Sequence, residues 1–270
     1  MIAEIISIGT ELLLGNIVNT NAQYLAKHLA DLGIEVHFQT VVGDNPERIR
    51  SVLDIAYTRA ELCILTGGLG PTKDDITREM IISYLNKKPI VDEWTVEMMK
   101  PKLEMTDQEA WKQSLLKCAV VPDDSIILHN HNGLSPGSIM EDSGRRIILL
   151  PGVPKEMKPM FEEYCIPYLR KLSGQVLVSV DIKLLDFDHA PVSAVGEAPV
   201  ASRLGDLLDH ENPTVATYIK DDGNIVRVTA KAENEEKAIQ MIEVMIEQCA
   251  DAIGREYIAD IYREDEAWNM

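Results

Sequence analysis

The stretch Thr66–Glu79, TGGLGPTKDDITRE, gathers unusual chemistry into one turn. Gly67, Gly68 and Gly70 give a backbone that can bend sharply and approach a ligand closely. Pro71, Thr72 and Lys73 follow, then the adjacent carboxylates Asp74 and Asp75, with Glu79 one helical turn further on. Bare amides beside a helix start suit a phosphate or diphosphate. Paired carboxylates next to such a cradle suit a divalent cation that bridges phosphates. A plainer reading stands beside each of these. Asp74 or Asp75 can be an N-cap with its neighbour, Glu79 can face solvent, and Lys73 can be an ordinary surface lysine. The segment is neither GxxxxGK[ST] nor GxGxxG, so no standard nucleotide fingerprint applies.

Three further turns carry similar residues. Gly9–Asn21 holds Gly9, Thr10, Glu11 and Asn19; Val41–Asn45 holds Asp44; Leu149–Met157 holds Gly152 and Lys155. Each turn alone reads as loop polarity plus a cap. Four glycine-bearing turns at one sheet edge argue jointly for a ligand groove.

The elements that must position these turns are legible from periodicity. Ile2–Gly9 is a β-branched run ending in glycine, and Ile34–Val42 and Leu62–Leu65 are further strands. Between them lie helical stripes over Asn19–Gly33 and Asn45–Ala60, the latter with Asn45 as cap and Pro46 in the first turn. A third helix begins near Asp74 or Asp75. Alternation of this kind predicts parallel βαβ units, with every strand-to-helix turn at the same sheet edge. Further on, Thr95–Met105 and the stretch from Thr106 to Ala119 read as helices, and Ser125–Asn130 and Arg145–Gly152 as strands joined by the loop Asn132–Gly144. Pro154–Leu172 reads as a helix bent or interrupted near Pro159. After Gly174 the character changes to a strand (Gln175–Leu185), a helix (Val195–Asp209), a hairpin with DDGN as its turn, and a capped amphipathic helix. The expected domains are 1–172, a nucleotide-binding α/β domain; 173–256, a small α+β domain; and 257–270, an acidic tail.

Composition bounds the function. The 270 residues carry 44 acidic against 26 basic side chains, a formal net charge of −18. Such a surface repels phosphodiester backbones and anionic membranes, so neither nucleic acid nor membrane is an expected partner. Cys63, Cys118, Cys165 and Cys249 are scattered among apolar residues without a CxxC pair, and read as buried free thiols. No signal peptide and no bilayer-length apolar run is visible, so a cytoplasmic protein is expected.

The ordered motifs GTELLLG, NTNAQYLA, VVGDN, TGGLGPTKDDITRE and LLPGVPKEMKPMFEE resemble the amino-terminal part of the CinA, or competence/damage-inducible protein, family. That part is similar to the molybdopterin-binding (MoCF) fold, whose TGGTG…D.T.E signature is close to Thr66–Glu79. The segment from Gly196 to Ala232 resembles the family's small KH-like domain. The resemblance therefore implies a three-layer α/β MoCF-like domain with a mostly parallel sheet, followed by a small α+β domain. It also implies a metal-dependent nucleotide pyrophosphatase that hydrolyses ADP-ribose-like compounds to AMP and a sugar phosphate. In that reading Asp74, Asp75 and Glu79 are catalytic. Gly9, Thr10, Asn19, Thr66, Gly67, Gly68, Gly70, Pro71, Thr72, Gly152 and Lys155 bind the ligand. Asp44, Asp75 and Glu11 hold a divalent metal of the cobalt, magnesium or manganese type, with K⁺ as a further ion. The family's fold relatives associate, so a homo-oligomer is expected. The resemblance carries no expectation of the family's carboxy-terminal NMN deamidase activity, whose domain would begin about where Met270 stands. Leu134 and Ser135 replace the Thr and Ala of the family's loop, and Ala110 and Trp111 stand where an asparagine is usual before Lys112. Two alternatives compete: a non-catalytic pterin- or nucleotide-binding module, and adenylyl transfer to molybdopterin. The second unit lacks a GXXG loop, so its KH-like shape implies no RNA binding.

Overall fold

The chain is described by a computed structural model over residues 1–105, 108–219 and 223–263. It divides into two units: Met1–Ala30 with Ile34–Leu172, and Asp31–Gly33 with the residues from Ser173 onward.

In the first unit β1 (Ile2–Ile8) leads through α1 (Thr10–Leu13) and α2 (Thr20–Asp31) to β2 (Glu35–Val42). Then α3 (Pro46–Arg59) leads to β3 (Leu62–Thr66), followed by α4 (Thr77–Tyr84). The next elements are β4 (Pro89–Val91), α5 (Glu93–Glu104), α6 (Glu109–Cys118), β5 (Val120–Pro122), β6 (Ile126–Leu128), β7 (Gly137–Asp142) and β8 (Arg145–Leu150). The unit closes with α7 (Pro154–Met160), a π-helical turn over Phe161–Cys165, and α8 (Ile166–Ser173).

Six strands form one sheet in the order β2-β1-β3-β8-β7-β6. The first four are mutually parallel, and β7 runs antiparallel to both its neighbours, β8 and β6. β1, β3 and β8 are nearly continuous apolar runs because both their faces are covered. Ile6, Cys63, Leu65, Ile147 and Leu149 meet Ile49, Leu53 and Ala56 of α3 and Ile81 of α4 on one face. On the other, α2 and the helix from Pro154 meet through Tyr24, edge-on to Phe161. Register brings Ser7, Thr66 and Leu150 side by side at the carboxyl ends of the strands. From β1 the chain passes to β2 on one side, whereas β3 lies on the other. The crevice outside the ends of β1 and β3 is thus a topological switch point, where open α/β sheets bind ligands.

In the second unit β9 (Val176–Leu184), α9 (Val192–Val195), α10 (Glu197–Leu204), β10 (Thr214–Tyr218), β11 (Ile225–Ala232), α11 (Glu235–Ile253) and β12 (Ile258–Tyr262) build a four-stranded antiparallel sheet, β10-β11-β9-β12. One sheet face is buried against α10 and α11: Val178, Ile182, Val226, Val228 and Ala230 pack with Val200, Leu204, Ile242 and Met245.

Several expectations are corrected. The third helix starts at Thr77, not at Asp74 or Asp75, because those aspartates are engaged in a preceding turn. The loop Asn132–Gly144 contains β7, whose short apolar core is masked in sequence by flanking Gly, Pro and Ser. The helix from Pro154 is continuous, and its irregularity is the π-turn immediately after Pro159, where the missing proline N–H loosens the ladder. The helix over 195–209 breaks at Gly196 and ends in a 3₁₀ turn. Ile258–Tyr262, assigned by sequence to the acidic tail, is an edge strand on β9. Asp221 and Asp222 of the DDGN turn and residues 264–270 of the tail lie outside the described residues.

Candidate functional site

An open cleft of about 740 Å³ lies outside the carboxyl ends of β1, β3 and β8. Its walls come from the turn after β1 (Gly9, Glu11, Ile17), Asp44 after β2, the turn after β3 (Gly67 to Pro71, with Asp74 and Asp75), the loop Asn132–Ser135, and Gly152 to Pro154 with Glu156. Lys102, from the last turn of α5, completes the wall.

The turn after β3 is built for backbone exposure. Gly67 has φ +110°, and a Cβ there would lie 2.1 Å from the carbonyl oxygen of Ile8. Gly68 has φ +69°, and its Cβ would lie 2.1 Å from Thr77 Oγ1. Only glycine fits either position, so the turn can press against β1 and the start of α4 while its other side faces the cleft. The Thr77 N–H donates to Gly68 O at 3.1 Å, so the first amide of α4 is already engaged within the turn. Within the turn the Gly67 N–H is engaged too, donating to Leu150 O at 3.1 Å, which leaves the amides of Gly68, Leu69 and Gly70 beside the cleft.

The carboxylates of the turn are held locally. The Thr72 N–H donates to Asp75 Oδ2 at 2.9 Å, and the Thr72 hydroxyl faces both Asp74 and Asp75. That hydroxyl bond, then a backbone bond, lowers the pKa of Asp74. Across the cleft, Asp44 Oδ2 accepts from both the backbone N–H and the hydroxyl of Thr10, each at 2.9 Å. Asp44 thereby ties the turn after β2 to the start of α1.

Glu156 is different. Its Oε2 accepts from Asn130 Nδ2 at 2.6 Å, and the same nitrogen donates to Ser135 O at 3.0 Å. Asn130 Oδ1 accepts from the Asn132 N–H, and Ser135 Oγ donates to Leu69 O at 2.6 Å. This chain of bonds links the start of α7 through the 130–135 loop to the glycine turn. Burial pushes the Glu156 carboxyl up, and the Asn130 bond and the Lys102 charge offset only part of that.

Of the residues singled out in sequence, Gly9, Glu11, Asp44, Gly67, Gly68, Gly70, Pro71, Asp74, Asp75 and Gly152 line the cleft. The others do not. Thr10 and Thr72 act as donors to the aspartates described above. Thr66 is buried beneath the cleft, donating to Pro151 O at 2.8 Å and accepting from Asn21 Nδ2. Asn19 caps α2 by accepting from the Ala22 N–H, and bonds Ser7 Oγ. Glu79 borders a separate groove beside α3 and pairs with Lys117 Nζ at 3.3 Å. Lys155 is exposed and lines no part of the cleft, because the first turn of α7 directs Glu156 there in its stead. Asp44, Asp75 and Glu11 share the cleft, yet among the described residues no three His, Cys, Asp or Glu side chains gather to hold a metal ion.

Asn130, Asn132, Glu156 and Lys102 are missed by the sequence. Asn-rich NHNG after a strand, and a glutamate two residues past the helix-opening proline, were the available signals. Lys102 has none, since α5 reaches the cleft only through tertiary packing.

A glycine-cradled, carboxylate-lined crevice at a switch point of a mostly parallel sheet defines a small-ligand α/β domain of the molybdopterin-binding class. Comparisons with known proteins agree. The probable molybdopterin binding domain family matches residues 4–171, and the damage-inducible protein CinA KH domain matches residues 192–259. The chain is 46% identical over 255 residues to the putative competence-damage inducible protein of Clostridium beijerinckii, covering 94% of this chain and 60% of that protein. It is 44% identical over 265 residues to the CinA-like protein of Kosmotoga olearia, covering 98% of this chain and 62% of that protein. Among solved structures, the CinA protein of unknown function from Thermoplasma acidophilum is 34% identical with a TM-score of 0.55, covering 61% of this chain and 97% of that one. The chain belongs to the CinA family. It spans about three fifths of the length of the curated relatives it matches.

Proposed function

We propose that the cleft binds the diphosphate of an ADP-ribose-like nucleotide as its divalent-metal complex and hydrolyses it to AMP and a sugar phosphate. The observation that carries this reading is the charge of the cleft around the glycine turn. Glu11, Asp44, Asp74, Asp75 and Glu156 line it against Lys102 alone among the described residues. A bare diphosphate would be repelled by those carboxylates, whereas one carrying a divalent cation would be attracted. A magnesium-type ion takes one or two carboxylates and completes its shell with phosphate oxygens and water, so it needs no preformed three-ligand protein site. Asp75 and Asp44 are the carboxylates best placed to receive it. Those two side chains would hold the ion, whose charge would withdraw electron density from the phosphoryl oxygens.

The chain's own residues do the rest. The amides of Gly68 to Gly70 hold the diphosphate, while that of Gly67 already donates to Leu150 O at 3.1 Å. The raised pKa of Glu156 suits it to take a proton from a water that attacks phosphorus as the bridging P–O bond breaks. The cellular setting belongs to the same proposal: a cytoplasmic homo-oligomer with a nucleotide as its small-molecule partner. Among the described residues no helix is long and apolar enough to cross a membrane.

Incubation with ADP-ribose and a panel of cobalt, magnesium and manganese salts, with and without K⁺, tests the activity. AMP release that is metal-dependent and about 100-fold slower in Asp75→Ala is the expected result; no release above that control removes the reading. The lack of a three-ligand cluster among the described residues favours one alternative, a pterin- or nucleotide-binding module without turnover. It predicts a calorimetric signal with molybdopterin or ADP-ribose that needs no metal.

A further inference from the structure

Two cations, neither lining the cleft, hold the glycine turn from behind. Arg78 of α4 is 2% exposed. It donates from Nη2 to Leu69 O at 3.0 Å and from Nη1 to Lys117 O at 3.2 Å. It forms no ion pair among the described residues. Lys117 of α6 donates from Nζ to Thr72 O at 3.1 Å and to Asp75 O at 2.5 Å, besides its pairing with Glu79. Leu69 O thus accepts twice, from Arg78 and from Ser135.

In a trans peptide the C=O and the following N–H point in opposite directions. Pinning the Leu69 and Thr72 carbonyls rearward therefore sets the Gly70 and Lys73 amides toward the other side of the turn. A buried guanidinium without a carboxylate is also costly. Carbonyl partners satisfy its hydrogen bonds, and the Glu79 and Asp75 carboxylates offset its charge only through space, without a direct ion pair among the described residues. That cost is offset when an anion occupies the other side of the turn.

We propose that Arg78 and Lys117 are positioning residues for the diphosphate: they fix the direction of the turn's amides and hold positive charge behind it. Ligand affinity then depends on two side chains that never touch the ligand. This rests on the diphosphate reading of the cleft given above.

The test uses the full chain with magnesium ADP-ribose for kinetics and magnesium pyrophosphate for calorimetry. Arg78→Met and Lys117→Met are expected to raise KM and the pyrophosphate Kd roughly tenfold or more, with kcat held within about threefold, because ground-state binding is lost. Arg78→Lys keeps the charge and is expected to recover to within about threefold of the parent. Added salt is expected to weaken the parent's binding more than that of Lys117→Met. A purely structural role would lower Tm without this KM and salt signature. If Arg78→Met does not fold, Arg78→Lys and the half-exposed Lys117→Met decide. Folded variants that bind pyrophosphate as the parent does would overturn the inference while leaving the function standing. A parent protein that binds neither ligand would overturn both.

Discussion

The two ends of the first unit's sheet treat buried carboxylates in opposite ways. Near the amino ends of the strands, Glu4 is fully buried and takes two bonds from Arg59, at 2.8 Å each, and one from Thr40 at 2.6 Å. Burial alone would raise its pKa, but the Arg59 and Thr40 bonds and the Arg59 charge outweigh that and hold it below the ordinary value. At the carboxyl ends, Glu156 has a neutral amide for a partner and stays raised. Arg78, close by, is buried with carbonyls where Arg59 has a carboxylate. One end sets its buried carboxylate against a guanidinium and serves stability; at the other, Glu156 and Arg78 have neutral groups as their hydrogen-bond partners. The second unit repeats the first pattern, with Asp181 buried against Arg227 through two bonds of 2.7 and 2.8 Å.

Breaking the stability end has the largest expected effect. Arg59→Ala strands Glu4 without its counter-charge and is expected to cost about 3 kcal/mol in denaturant unfolding, with KM for ADP-ribose unchanged. An equal loss of affinity would erase the distinction between the two ends. Next, Asp75→Ala removes the acceptor that closes the Thr72 turn in the cleft. It is expected to lower the rate of AMP release by about 100-fold with a much smaller change in Tm. Ser135→Ala sharpens the picture at smaller scale. Losing one of the two donors to Leu69 O is expected to cost about 1 kcal/mol of ligand binding, read as a roughly fivefold rise in KM.

The subtlest contrast is in pH. Glu4, held below its ordinary value of 4.5, contributes stability that is present above that value and is lost as pH falls through its folded pKa. Glu156, held above it, contributes stability present below 4.5 and lost as pH rises through its folded pKa. Glu156→Gln keeps an acceptor for Asn130 without the charge. Its Tm is expected to exceed that of the parent at neutral pH, with the gap closing as the solution is acidified toward pH 4. A constant gap across a pH series of melting curves would refute that assignment.

Local sequence signals suffice for the strands β1 to β3 and β8, the helices between them, and the common edge at which their turns emerge. Apolar runs, Asn45 with Pro46, and glycine at strand ends are local signals, and local sterics enforce them. The sequence also marked the glycine turn and its aspartates, since few backbone arrangements need that composition. It did not place Glu79, because an error in a helix start rotates every later side chain by about 100° per residue, nor Lys155, since a correct start at Pro154 does not tell which side chain of the first turn meets the cleft. With α4 beginning at Thr77, Glu79 turns to Lys117 and away from the cleft. Asn130, Glu156, Lys102, Arg78 and Lys117 acquire their parts only when segments far apart in the chain meet, and hydrogen bonds of that range leave no periodicity to read. Tertiary packing alone decided which charges found a counter-charge and which were left facing an empty peptide carbonyl.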